Sequence, residues 1–100
     1  DDDNTSTPAE YSLNQNFPNP FNPETTIKFS MPSAGFVSLK VYNILGQEIR
    51  TLVSSDFKAG NHSVRWNGKD NSGNSVASGI YLYRLDCGNF IKTNKMIMLK

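Results

Sequence analysis

The sequence predicts an all-β fold: a single antiparallel β-sandwich of about seven short strands. Three observations carry this. Apolar residues alternate with polar ones over most of the chain, no stretch shows the 3.6-residue period of a helix, and turn residues interrupt the alternation at short, regular intervals. An aromatic content of 11% suits sheets packed face to face.

One hundred residues enclose one hydrophobic core but hardly two. With 37% hydrophobic and 19% charged residues, the chain is slightly polar for a large domain, so loops or a tail carry the excess. Lys plus Arg number 10 and Asp plus Glu 9, spread without basic blocks, which argues against a nucleic-acid partner. The longest apolar runs, residues 80–83 and 96–99, fall far short of the roughly 20 needed for a membrane span. No N-terminal signal peptide is visible. Cys87 stands alone, so neither an internal disulfide nor a thiolate zinc cluster is expected.

Residues 1–10 open with acidic and hydroxyl side chains and are expected to be a flexible linker end, with the folded domain over residues 11–100. In residues 16–23 three prolines remove backbone donors and hold their neighbours extended, which excludes helix. Phe17 and Phe21 are expected to plug one end of the core. Ile27, Phe29 and Met31 then alternate with polar residues in the first clear strand. Val37, Leu39 and Val41 mark a second, and Gly46 supplies the turn after it. A third strand follows over residues 48–54. The His62, Val64 and Trp66 phase gives a fourth. Residues 68–79, polar and glycine-rich, form an exposed loop that divides the strands into two groups. The last two strands run from Gly79 to Cys87 and from Phe90 to Leu99, a C-terminal hairpin about Gly88-Asn89 whose first member has apolar residues on both faces.

Four stretches carry a family resemblance. They are Gln15-Asn16-Phe17-Pro18-Asn19-Pro20-Phe21-Asn22-Pro23, Val41-Tyr42-Asn43-Ile44-Leu45-Gly46-Gln47-Glu48, Trp66-Asn67-Gly68-Lys69-Asp70 and Ser78-Gly79-Ile80-Tyr81-Leu82-Tyr83. With the ending Lys95-Met96-Ile97-Met98-Leu99-Lys100, the chain from about Tyr11 onward resembles the type A C-terminal sorting domain of the type IX secretion system. The resemblance implies an immunoglobulin-like sandwich that is not an enzyme. It implies a sorting signal for a cargo protein of Bacteroidetes-like bacteria, which is taken to the periplasm and then through an outer-membrane translocon for release or cell-surface attachment. The partners implied are the translocon, its sorting and cleavage machinery and an N-terminal cargo domain. Gly79 and Tyr81 match the family's glycine-x-tyrosine motif, and residues Lys95, Met96, Ile97, Met98, Leu99 and Lys100 its terminal motif, so recognition is placed there. A hairpin at a sheet edge with Lys92, Lys95 and Lys100 suits reading by strand addition plus charge. The chain also resembles the immunoglobulin-like domain of flagellar hook-capping proteins through its Trp-x-Gly-x-Asp and Ser-Gly-x-Tyr stretches. The Pro-Asn-Pro stretch favours sorting.

The alternative is an accessory module of a secreted enzyme that binds calcium or carbohydrate on the 68–79 loop. Asp70, Ser72 and Asn74, with Asn67, form the candidate oxygen set for calcium, but an EF-hand needs its glycine two residues later than Gly73 and a glutamate where Tyr81 stands. Such side chains more often satisfy local backbone donors. Trp66 invites sugar stacking, yet its phase with Val64 places it in the core. His62 lacks a second metal ligand or a catalytic partner, and Cys87, in phase with Tyr81, Tyr83 and Leu85, is expected to be a buried apolar thiol. No catalytic constellation is recognisable, and no cofactor is expected.

Overall fold

The computed structural model describes residues 7–100, so the first six residues of the expected linker lie outside the described part. Residues 7–10 carry no strand. The strands are β1 (Ser12–Leu13), β2 (Thr25–Met31), β3 (Gly35–Asn43), β4 (Glu48–Phe57), β5 (Gly60–Trp66), β6 (Gly79–Cys87) and β7 (Phe90–Met98). They form two antiparallel sheets, ordered β1-β2-β5 and β4-β3-β6-β7. The fold is all-β, with no helix among the described residues.

Period-two alternation becomes two faces because successive side chains in a strand point to opposite sides. From the three-stranded sheet Ile27, Phe29, Met31 and Trp66 point inward and are essentially solvent-free. Val37, Leu39, Val41, Tyr83, Leu85, Met96 and Met98 meet them from the other sheet. Each such side chain contributes roughly 1.5–3 kcal/mol by leaving water. Trp66 is the hub at one end: Phe21 tilts against it at 5.7 Å and Tyr81 meets it edge-on at 5.6 Å.

Three expectations need correction. Phe21 plugs the core, but Phe17 is 78% exposed. Its N–H and C=O pair with Thr26, and the residue beside it, Asn16, turns inward instead. The 68–79 loop does not divide the strands into their sheets, because β3 and β4 precede it yet share a sheet with β6 and β7. Nor is it wholly exposed: Val76 and Gly68 are buried, and the Val76 N–H bonds the Gly68 carbonyl. A boundary also moves and one unexpected strand appears. β4 continues to Phe57, and the two-residue β1 pairs Ser12 with Ser30 and Leu13 with Phe29.

Candidate functional site

The terminal motif lies on β7, the outermost strand of the four-stranded sheet, up to Met98; Leu99, where the sequence places the strand end, and Lys100 lie just past it. β7 is registered on β6 from Gly79 opposite Met98 to Cys87 opposite Phe90, and Gly88, with φ of 65°, makes the tight turn. Alternation splits the motif between two environments. Met96 and Met98 are buried in the core, whereas Lys95, Leu99 and Lys100 are exposed and Ile97 is half-buried. Across the outer face Ile97 stands opposite Ile80, and Lys95 opposite Leu82.

The glycine-x-tyrosine pair sits at the start of β6. Gly79 has φ of 151°, and the Tyr81 ring packs on Trp66 while its hydroxyl donates to the Ala77 carbonyl at 2.6 Å. Tyr81 is buried, so its side chain shapes the core and anchors the loop rather than presenting a surface. Burial also raises its phenol pKa.

The outer side of β7 faces the proline-rich segment over its second half. The Phe21 N–H donates to the Ile97 carbonyl at 3.0 Å and the Leu99 N–H to the Phe21 carbonyl at 2.9 Å. The Ile97 N–H donates to Asn19 Oδ1 at 2.9 Å, and Gln15 Nε2 donates to the Lys95 carbonyl at 2.7 Å. Asn16 fixes this segment from within. Its backbone N–H donates to the Tyr83 hydroxyl at 2.8 Å, and its amide nitrogen donates to Thr25 Oγ1 at 2.9 Å and to the Pro18 carbonyl at 3.1 Å. Tyr83 in turn donates to the Asn14 carbonyl at 2.7 Å, and burial raises its pKa despite hydrogen bonds that act the other way. In the sequence Gln15, Asn16 and Asn19 stand out only as parts of a motif. Their role as hydrogen-bonding hooks had one visible signal, three amides among prolines that cannot donate from the backbone.

The oxygen set of the 68–79 loop is turned toward backbone donors. Asp70 Oδ1 accepts the N–H groups of Ser72 and Asn74, both at 2.9 Å, and Asn67 Oδ1 accepts that of Lys69 at 3.2 Å. Ser72 and Asn74 are exposed. No cluster of three or more His, Cys, Asp or Glu side chains suited to a metal ion occurs among the described residues. Trp66 is buried and donates to the Lys69 carbonyl at 2.9 Å, so its face offers no sugar platform. The loop also covers part of the opposite sheet edge: Asn71 bonds the backbone of Ile49 and Thr51 on β4.

His62 lies on edge strand β5 between the rings of Phe29 and Phe57, with Nε2 at 2.7 Å from the Lys58 carbonyl. Cys87 is buried as expected. Burial raises its thiol pKa and the neighbouring Asp86 adds to the shift.

The flagellar FlgD Ig-like domain model matches residues 19–87. The chain belongs to the FlgD Ig-like domain family. Among solved structures, FlgD from P. aeruginosa is 25% identical, with TM-score 0.59 over 74% of this chain and 57% of its own. Dimeric latent PorU from Porphyromonas gingivalis is 19% identical, with TM-score 0.71 over 91% of this chain and 10% of its own. PorZ from the same organism, described as an essential surface component of the type-IX secretion system, is 21% identical, with TM-score 0.58 over 90% of this chain and 11% of its own. The chain thus spans about a tenth of the PorU and PorZ chains and little more than half of FlgD. No curated protein matches. The FlgD Ig-like match ends at Cys87, so β7 lies beyond it.

Proposed function

We propose that this FlgD-like Ig domain is a non-catalytic C-terminal sorting domain. In this role it directs an N-terminal cargo protein through the type IX secretion system for release or attachment at the cell surface, by way of the periplasm, and takes up no cofactor. The observation that carries this is the way the sorting-type motifs join into one body. The proline-rich segment, of which the FlgD Ig-like match covers only residues from 19 onward, is hooked through Gln15, Asn19 and Phe21 onto β7, the strand that carries most of the terminal motif and lies beyond that match. Likeness in fold to PorU and PorZ over nine-tenths of the chain, against about three-quarters for FlgD, supports the same choice.

The accessory-module alternative gains nothing from the geometry, since Asp70 and Asn67 already serve backbone N–H groups and Trp66 is in the core. Transplantation tests the proposal. The chain fused to the C-terminus of a foreign periplasmic reporter carries it to the surface or medium of a bacterium with this system. A reporter that stays periplasmic argues against it, and a rise in melting temperature on adding calcium would then favour the binding module through mass action.

A further inference from the structure

The edges of the two sheets differ in what they leave open. On β7, the groups of Lys95, Ile97 and Leu99 that meet the proline-rich segment show that odd-numbered residues turn their N–H and C=O away from β6. Ile91 and Thr93 continue that parity. Among the described residues nothing bonds their outward N–H and C=O groups, and residues 91–93 are exposed. An open edge of this kind is a template for one more strand.

The other long edges differ, β4 in its backbone and β5 in its charge. β4 has register shifts at Leu39/Lys40 and Val41/Tyr42 of its pairing with β3, and Asn71 occupies the backbone of Ile49 and Thr51. Such bulges twist an edge away from pairing. β5 borders solvent, but its Arg65 is held by Glu24 at 2.6 Å. On β7, Lys92 and Lys95 have no acidic partner among the described residues, and alternation puts them on opposite faces of the strand. A second copy of this chain paired antiparallel about this stretch would set Lys92 against Lys92, an unfavourable like-charge pair.

We propose that residues 90–94 of β7 form a docking edge for an extended, acidic segment of the secretion machinery, which adds as a strand beyond β7 and places carboxylates beside Lys92 and Lys95. The ladder supplies affinity and the charges supply selection and register. This rests on the sorting role proposed above. It relocates recognition from the buried part of the terminal motif to the open stretch before it.

The test uses the reporter fusion with three variants. Thr93→Pro removes one outward N–H while leaving the β6 ladder intact. Lys92→Glu with Lys95→Glu reverses the charge, and Lys28→Glu, exposed on the other sheet, is the control. The first two each deliver about tenfold less reporter, equal to losing roughly 1.4 kcal/mol of recognition, and the control delivers as the unaltered chain does. If Thr93→Pro does not fold, the charge reversal decides alone. Delivery by folded variants of both kinds overturns the docking edge and leaves sorting standing. Loss on charge reversal with full delivery by Thr93→Pro overturns strand addition in favour of an anionic surface. Retention of the unaltered fusion removes the sorting role, and the docking edge with it.

Discussion

The Asn16 backbone N–H and the Tyr83 hydroxyl meet in the interior, where an orphaned donor is expensive. Tyr83→Phe leaves that N–H without its acceptor and the Asn14 carbonyl with only the longer bond from Asn94 Nδ2 at 3.4 Å. The expected cost is about 1–3 kcal/mol, measured by urea unfolding. Burial raises the folded-state pKa of Tyr83 and Tyr81 above the unfolded value. The folded state therefore holds these protons more tightly. The associated stability is complete below the ordinary tyrosine pKa of about 10 and is lost as pH rises through the higher folded values. Denaturation scans above that pH show the decline, and Tyr83→Phe flattens it. Cys87, buried and raised in pKa, reacts with a thiol reagent at the rate of unfolding rather than that of a free thiol. Its burial was legible from its phase with Tyr83 and Leu85. The inward turn of Asn16 and outward turn of Phe17 were not, because polarity ranks a phenylalanine above an asparagine for burial. Here the pairing of Phe17 with Thr26 and the hydrogen bonds of Asn16 prevail.

At the scale of elements, β7 is both core and surface. Met96→Ala opens a cavity in a solvent-free site and costs about 2–5 kcal/mol, while Lys95→Ala stays within about 0.5 kcal/mol. Deleting residues 95–100 removes Met96 and Met98 together and unfolds the domain, so a sorting defect from that truncation does not separate recognition from folding. Thermal melts of the three variants check the ordering. Gly68 is a second constraint: at φ of +75° an added Cβ would stand 2.9 Å from Met98 Cε and 3.1 Å from the Pro23 carbonyl oxygen. Gly68→Ala costs roughly 1–3 kcal/mol of backbone strain before that crowding is relieved. Strands β2, β3, β5, β6 and β7 were readable because their burial alternates, which writes period two into the sequence, whereas β4, nowhere fully buried, was readable only from its β-branched and aliphatic residues. β1 was missed because two residues cannot display a period. The hooks of Gln15 and Asn19 on β7 join residues about 80 positions apart, and no local pattern encodes such a contact.

For the whole molecule, the class of fold followed from alternation, but the division into sheets did not. β3 and β4 join β6 and β7 across the 68–79 loop, an arrangement set by which apolar faces meet rather than by order along the chain. The result places the C-terminal strand at a sheet edge and fastens the proline-rich segment to it, so an early and a late stretch of the domain are bound together. The sorting role is tested most directly by fusing this chain to a periplasmic fluorescent reporter and comparing a strain with a working type IX translocon to one lacking it. Surface or medium fluorescence in the first strain that disappears in the second is the predicted result. Equal periplasmic retention in both, with the domain folded, would contradict it.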